Sequence, residues 1–146
     1  MKEQLAAKNF ERASELIDAN DYHPALELLR EAVRFSPDKA EYRFRLGQVE
    51  LKNVNWIDRG LEDLREATRL APTRGDFLRE TARALAEHGR TEDARMYARK
   101  AQEVEPGSES AALLAELKAE PAQQAEPKPT RSPGLLARLL KRKGGS

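Results

Sequence analysis

The residues that could do chemistry are few. His23 and His88 come first, because imidazole titrates near neutral pH and ligates metals. They stand 65 residues apart, one in a turn and one at a helix end, with no carboxylate pattern beside them that would complete a metal site or a catalytic base. Both read as surface turn residues. Carboxylates are abundant but alternate with arginine, as in Glu62-Asp63-Leu64-Arg65-Glu66, which is the pattern of a solvated helix face. No glycine-rich phosphate loop and no G-x-S-x-G motif occurs. Cysteine is absent, so thiolate chemistry and disulfides are excluded and a secreted scaffold is disfavoured. The sequence therefore offers no catalytic constellation, no metal ligand set and no cofactor motif, and its expected chemistry is non-covalent recognition.

The elements that would position such recognition repeat along the chain. In the stretch from Ala40 to Pro72, two short amphipathic helices are joined by a polar turn, with Gly47 on the first, Gly60 and Ala67 on the second, and Pro72 closing the unit. Upstream the same places hold Ala13, Ala25, Ala32 and Pro37, and downstream they hold Ala82, Ala94, Ala101 and Pro106. The offsets are 34 then 35 for the first set and 35 then 34 for the other three, so one extra residue between Gly47 and Gly60 accounts for all of them. Small residues allow helices to cross closely, and proline after the second helix stops it.

A period of this length with these landmarks resembles the tetratricopeptide-repeat family. The family pattern W-x2-L-G-x2-Y, A-x3-F, P falls on Arg43, Leu46, Gly47, Glu50, Gly60, Leu64 and Pro72 in the middle unit, with identity at Leu46, Gly47 and Pro72. The resemblance implies an all-α fold, a right-handed superhelical α-solenoid of three helix-turn-helix units (about 6–39, 40–74 and 75–108). A capping helix over 108–119 would cover the open end of the last unit. The middle of the chain, from Tyr42 to Gly47 and the Asn-rich turn before Trp56, also resembles the repeat segment that follows a J-domain in some bacterial proteins. No His-Pro-Asp tripeptide accompanies it, which leaves an accessory role beside a chaperone system as the most it implies.

What the family resemblance implies about a site is a concave groove lined by the first helix of each unit, with its fifth and ninth places inward. Those places hold Phe10 and Ser14, Phe44 and Gln48, and Arg79 and Arg83, with Arg45 beside them and Ile17, Leu51 and Ala86 one turn further. The groove would be apolar at its N-terminal end and basic toward the third unit. A peptide with an apolar anchor and an acidic residue would suit it; Phe10 and Phe44 fit ordinary packing between repeats equally well. The carboxylate clamp that some family members use on chaperone C-termini would need Lys, Asn, Asn, Lys and Arg where this chain has Phe10, Ser14, Arg45, Asp76 and Glu80. That clamp is not expected here.

Charge divides the chain. Residues 1–119 carry 20 Lys and Arg against 23 Asp and Glu, and residues 120–146 carry 6 against 2, so an acidic body precedes a basic tail. Pro121, Pro127, Pro129 and Pro133 mark 120–134 as an extended, disordered linker. In 135–146, Leu135, Leu136, Leu139 and Leu140 fall on one helical face with Arg138, Lys141, Arg142 and Lys143 around the other. Such a segment could dock on an acidic protein, on anionic lipid or into the molecule's own groove. Nine residues give marginal membrane affinity without a second anchor, which favours a protein over a bilayer. Nucleic acid is disfavoured, because the body is acidic and no aromatic platform alternates with basic residues.

No apolar run is long enough to span a membrane, and the first residues, MKEQLAAKNFER, lack the apolar core of a signal peptide, so a cytoplasmic protein is expected. Arginine outnumbers lysine 17 to 9, as in proteins of GC-rich bacterial genomes. Three units plus a cap reach the minimum for an independently stable array, so a monomer is expected. The sequence thus reads as a non-enzymatic interaction module, a scaffold or adaptor, with docking through the tail as the alternative.

Overall fold

A computed structural model describes residues 1–118. Those residues form seven α-helices and no strand: α1 (Lys2–Asp18), α2 (Tyr22–Phe35), α3 (Ala40–Glu50), α4 (Ile57–Leu70), α5 (Gly75–Glu87), α6 (Thr91–Val104) and α7 (Ser108–Lys118). The closest pairings are α1 with α2, α3 with α4, and α5 with α6, three successive hairpins stacked through α2 on α3 and α4 on α5. Helix α7 packs on α6 and touches α5, burying Leu113 and Leu117 against the last hairpin.

The small residues sit at the crossings. Ala13, Ala25, Ala32, Ala67, Ala82, Ala94 and Ala101 have no exposed surface at all. In the middle hairpin the approach is closer still. A Cβ on Gly47 would lie 2.8 Å from the carbonyl oxygen of Gly60, and a Cβ on Gly60 would lie 3.0 Å from that of Gly47. Glycine at both places is required by this backbone contact, and the contact offsets the roughly 1 kcal/mol by which glycine disfavours a helix.

Each turn follows from local chemistry. Asn20 (φ 60°) and Gly89 (φ 78°) occupy equivalent places after α1 and α5 and take the left-handed conformation that Gly and Asn tolerate best. In both, the following amide reaches back six residues' span, Asp21 N to Leu16 O and Arg90 N to Leu85 O at 2.8 Å each, closing a Schellman motif. After α3 the extra residue changes the solution. Lys52 and Asn53 donate to Val49 and Glu50, and a 3₁₀ turn over Val54–Trp56 follows, with Asn53 Oδ1 accepting from Asn55 N at 2.9 Å. Helix α3 accordingly ends at Glu50, two residues short of the Lys52 that the apolar spacing predicts. Helix α6 begins at Thr91, after Arg90, with no side-chain cap hydrogen bond. Helices α2, α4 and α6 all end in the same way, with Ser36, Ala71 and Glu105 at φ −135°, −133° and −143° before prolines 37, 72 and 106. A residue preceding proline is driven out of helical geometry, so the stop is repeated with the proline.

The core divides across α3. Tyr42, Leu46 and Val49 join the cluster of α1 and α2, while Phe44 faces the other way into the cluster of α4 to α7. Trp56 packs back on the first cluster, with the Arg30 guanidinium 4.7 Å above its ring.

A buried hydroxyl is out of keeping with this core. Thr81 is fully buried and its Oγ1 has no hydrogen-bond partner among the described residues, at the place where the middle hairpin carries Leu46. Thr81→Val keeps the shape and removes the stranded hydroxyl. We expect it to raise stability by about 1 kcal/mol. The check is urea unfolding: the midpoint moves up with an unchanged slope, and a lower midpoint would show that the hydroxyl is satisfied after all.

Candidate functional site

The first helices of the three hairpins end side by side, and their C-terminal halves line a cleft of about 400 Å³. Ile17 of α1, Arg45, Gln48, Val49 and Leu51 at α3, and Glu80, Arg83, Ala84, Glu87 and His88 at α5 face it, with Tyr22 and Lys52 at the turns. Of the residues singled out from the sequence as groove-lining, Ile17 and Leu51, one turn further along, line it, and of the seven at or beside the fifth and ninth places the structure brings Arg45, Gln48 and Arg83 together here. All three are half-buried, so their stems pack while their polar ends reach the cleft. Arg83 Nη1 donates to Glu80 Oε1 at 2.7 Å, and Lys52 Nζ lies 5.5 Å from the centre of the Tyr22 ring. The cleft thus pairs an apolar floor with three cations, Arg45, Lys52 and Arg83, against two exposed carboxylates, Glu80 and Glu87.

The other four are placed elsewhere. Phe44 is buried and stacks on Phe77 of α5, with ring centroids 4.1 Å apart and planes 10° from parallel. Phe10 packs on Tyr42 at 4.7 Å. Both rings therefore join neighbouring hairpins. Ser14 Oγ donates to the Phe10 carbonyl one turn back at 3.0 Å. Arg79 is buried, and its Nη1 donates to Glu105 Oε1 at 2.6 Å and to Ser110 Oγ at 3.3 Å, with Glu109 at 3.9 Å from Nε. This guanidinium ties α5 to the α6–α7 junction.

Tyr22, Lys52 and His88 were not expected in the cleft. They belong to the hairpin turns, whereas the fifth-and-ninth rule reads only the body of each first helix. Continuing the inward stripe of Gln48 and Arg83 by one more turn reaches Lys52 and Glu87, a signal that would have found Lys52 but neither Tyr22 nor His88. His23 is exposed. Among the described residues no group of three or more His, Asp or Glu could hold a metal, and no helix is long and apolar enough to cross a membrane. The linker 120–134 and the tail residues Leu135, Leu136, Arg138, Leu139, Leu140, Lys141, Arg142 and Lys143 lie outside the described residues.

A family model described as tetratricopeptide repeat matches residues 10–56 and 57–111. The chain belongs to the tetratricopeptide-repeat family. Solved repeat domains share the fold. The first such domain of Spaghetti (RPAP3), solved bound to the HSP90 peptide SRMEEVD, superposes with a TM-score of 0.72 at 15% identity, over 82% of this chain and 98% of that one. The OM64 repeat domain of Arabidopsis gives 0.72 at 14% identity, over 82% and 99%. The type III secretion chaperone SycD of Yersinia enterocolitica, solved with a peptide of the translocator YopD, gives 0.68 at 13%, over 78% and 92%. No curated protein sequence matches this one.

Proposed function

We propose that this array is a non-enzymatic protein-interaction module that receives an extended peptide or helix of a partner in the cleft between the first helices. The observation that carries the reading is the convergence of Arg45, Gln48 and Arg83 from two different repeats on one apolar-floored cleft. Two structurally similar repeat domains were solved with peptides bound, which supports a peptide as the kind of ligand. The excess of cation over carboxylate favours a segment with an acidic residue beside an apolar anchor, the guanidiniums taking the carboxylate and the Ile17, Tyr22 and Leu51 side taking the anchor.

Affinity capture from native lysate with the full chain tests this. The double variant Arg45→Glu/Arg83→Glu should lose the captured partner at least about tenfold, since two charge-assisted contacts are inverted. Arg99→Glu, an exposed change on α6, should keep it. Retention of the partner by the double variant, with unchanged helicity, removes the cleft as the binding site.

A further inference from the structure

A second cavity, of about 310 Å³, shares no residue with the cleft and lies where α2, α3 and α4 meet. Four arginines line it from three helices, Arg30 and Arg34, Arg43, and Arg59, together with Glu50 and Asp63. Three polar atoms here are buried without a hydrogen-bond partner among the described residues: Arg30 Nη2, Arg43 Nε and Glu50 Oε1. Glu50 itself is 1% exposed. Two donors and one acceptor, each costly to bury unpaired, thus belong to three residues that line one cavity. Arg30 Nη1 pairs with Glu27 at 3.1 Å and Arg43 Nη1 with Asp63 at 3.2 Å, and the Arg30 plane rests on Trp56. Asp63 is the one carboxylate that opposes an anion, and Arg43 offsets it.

The ligand that complements two guanidinium N–H donors and one carboxyl acceptor is an anion that carries its own proton. We propose that this cavity binds hydrogen phosphate, Arg30 Nη2 and Arg43 Nε donating to its oxygens and Glu50 Oε1 accepting from its P–O–H. Glu50 shares its own proton with Asp63, which leaves Oε1 an acceptor, so a fully deprotonated oxyanion has no donor for it and meets its lone pairs instead. Sulfate is such an ion, and so is a phosphomonoester at pH 8, whose second pKa is about 6. The site therefore discriminates free phosphate from both. It stands apart from the peptide cleft, and its failure would leave the cleft reading untouched.

The test is a titration of the full chain at pH 8 and constant ionic strength with inorganic phosphate, sulfate, phosphoserine and chloride, followed by thermal unfolding and by phosphorus NMR. Phosphate should saturate and raise the unfolding midpoint, while the other three should act at least about tenfold more weakly. Arg43→Gln should weaken phosphate by about tenfold or more, the loss expected of a charge-assisted hydrogen bond. Arg59→Gln, at an exposed position that carries no core packing, should weaken it by a smaller factor with unchanged helicity, which keeps the test informative if Arg43→Gln unfolds. In Glu50→Gln the amide can turn either an acceptor or a donor to the anion, so the preference for phosphate over sulfate should fall. Equal binding of sulfate or of phosphoserine overturns the proposal, as does the absence of saturation or a wild-type response in Arg59→Gln.

Discussion

Glu50→Gln should make the protein more stable at pH 8 and leave its stability almost unchanged below pH 5. The reason is the position of this carboxyl. It closes α3 facing α4, almost wholly removed from water, opposite the carboxyl of Asp63. Burial, then the hydrogen bond with Asp63 and the charge of Asp63, push its pKa up to about 9, and the nearby Arg30 and Arg59 only partly offset them. The folded protein therefore holds a proton that the unfolded chain, with an ordinary carboxyl near 4.5, gives up. Between those two values the native state binds more protons than the unfolded one, so the unfolding free energy falls as pH rises through the window. Each unit of pH within it costs at most about 1.4 kcal/mol. Glutamine is a neutral stand-in at every pH and removes this slope. We expect a gain of about 1–3 kcal/mol at pH 8, against a negligible difference at pH 4.5. Chemical denaturation of both proteins from pH 4.5 to 9 measures it, and parallel stability curves for wild type and variant would show that Glu50 is ionised in the folded state.

Gly47→Ala should destabilise the protein by about 1–3 kcal/mol, although alanine is the better helix former by about 1 kcal/mol. The added methyl would stand 2.8 Å from the Gly60 carbonyl oxygen and 3.0 Å from Leu64 Cδ2. A backbone oxygen cannot turn aside as a side-chain end can, so the hairpin has to widen. The first and third hairpins carry alanine at the equivalent places, Ala13 with Ala25 and Ala82 with Ala94, all fully buried, so those crossings accommodate a methyl. Widening would move Leu51, which lies 2.9 Å from the place a Cβ on Gly60 would take and also lines the cleft, so peptide binding should weaken with stability. The double variant Gly47→Ala/Gly60→Ala should cost less than its two parts together, because one separation relieves both clashes. Thermal unfolding of the three variants decides this. A midpoint raised by Gly47→Ala would mean that helix propensity outweighs the contact.

Much of the architecture was legible in the residues, and for a local reason. Backbones can approach only where side chains are small, so the spacing of Ala13, Gly47 and Ala82 against Ala25, Gly60 and Ala94 records where helices cross. Prolines 37, 72 and 106 record where the second helices must stop, and Gly89 marks a left-handed turn that few other residues accept. These constraints act within one hairpin, and the family match over 10–56 and 57–111 agrees with them.

The site was legible only in part. An inward stripe predicts which side of a helix faces the groove, and Arg45, Gln48 and Arg83 do meet in one cleft. Which inward residues stay open to a ligand depends on the angle at which the next hairpin arrives. That angle stacks Phe44 on Phe77 and carries Glu105 and Ser110 of the α6–α7 junction onto Arg79, closing two positions that look available from spacing alone. The facing of Glu50 and Asp63, with four arginines around them, was not readable either, since it joins residues from three helices whose separate surfaces look like ordinary solvated faces. By itself the sequence determined the helices, their turns and their order, because those obey steric rules between near neighbours. The tertiary structure decided which charges are paired, which are buried and which remain for a partner, because those depend on distances between residues that the chain keeps far apart.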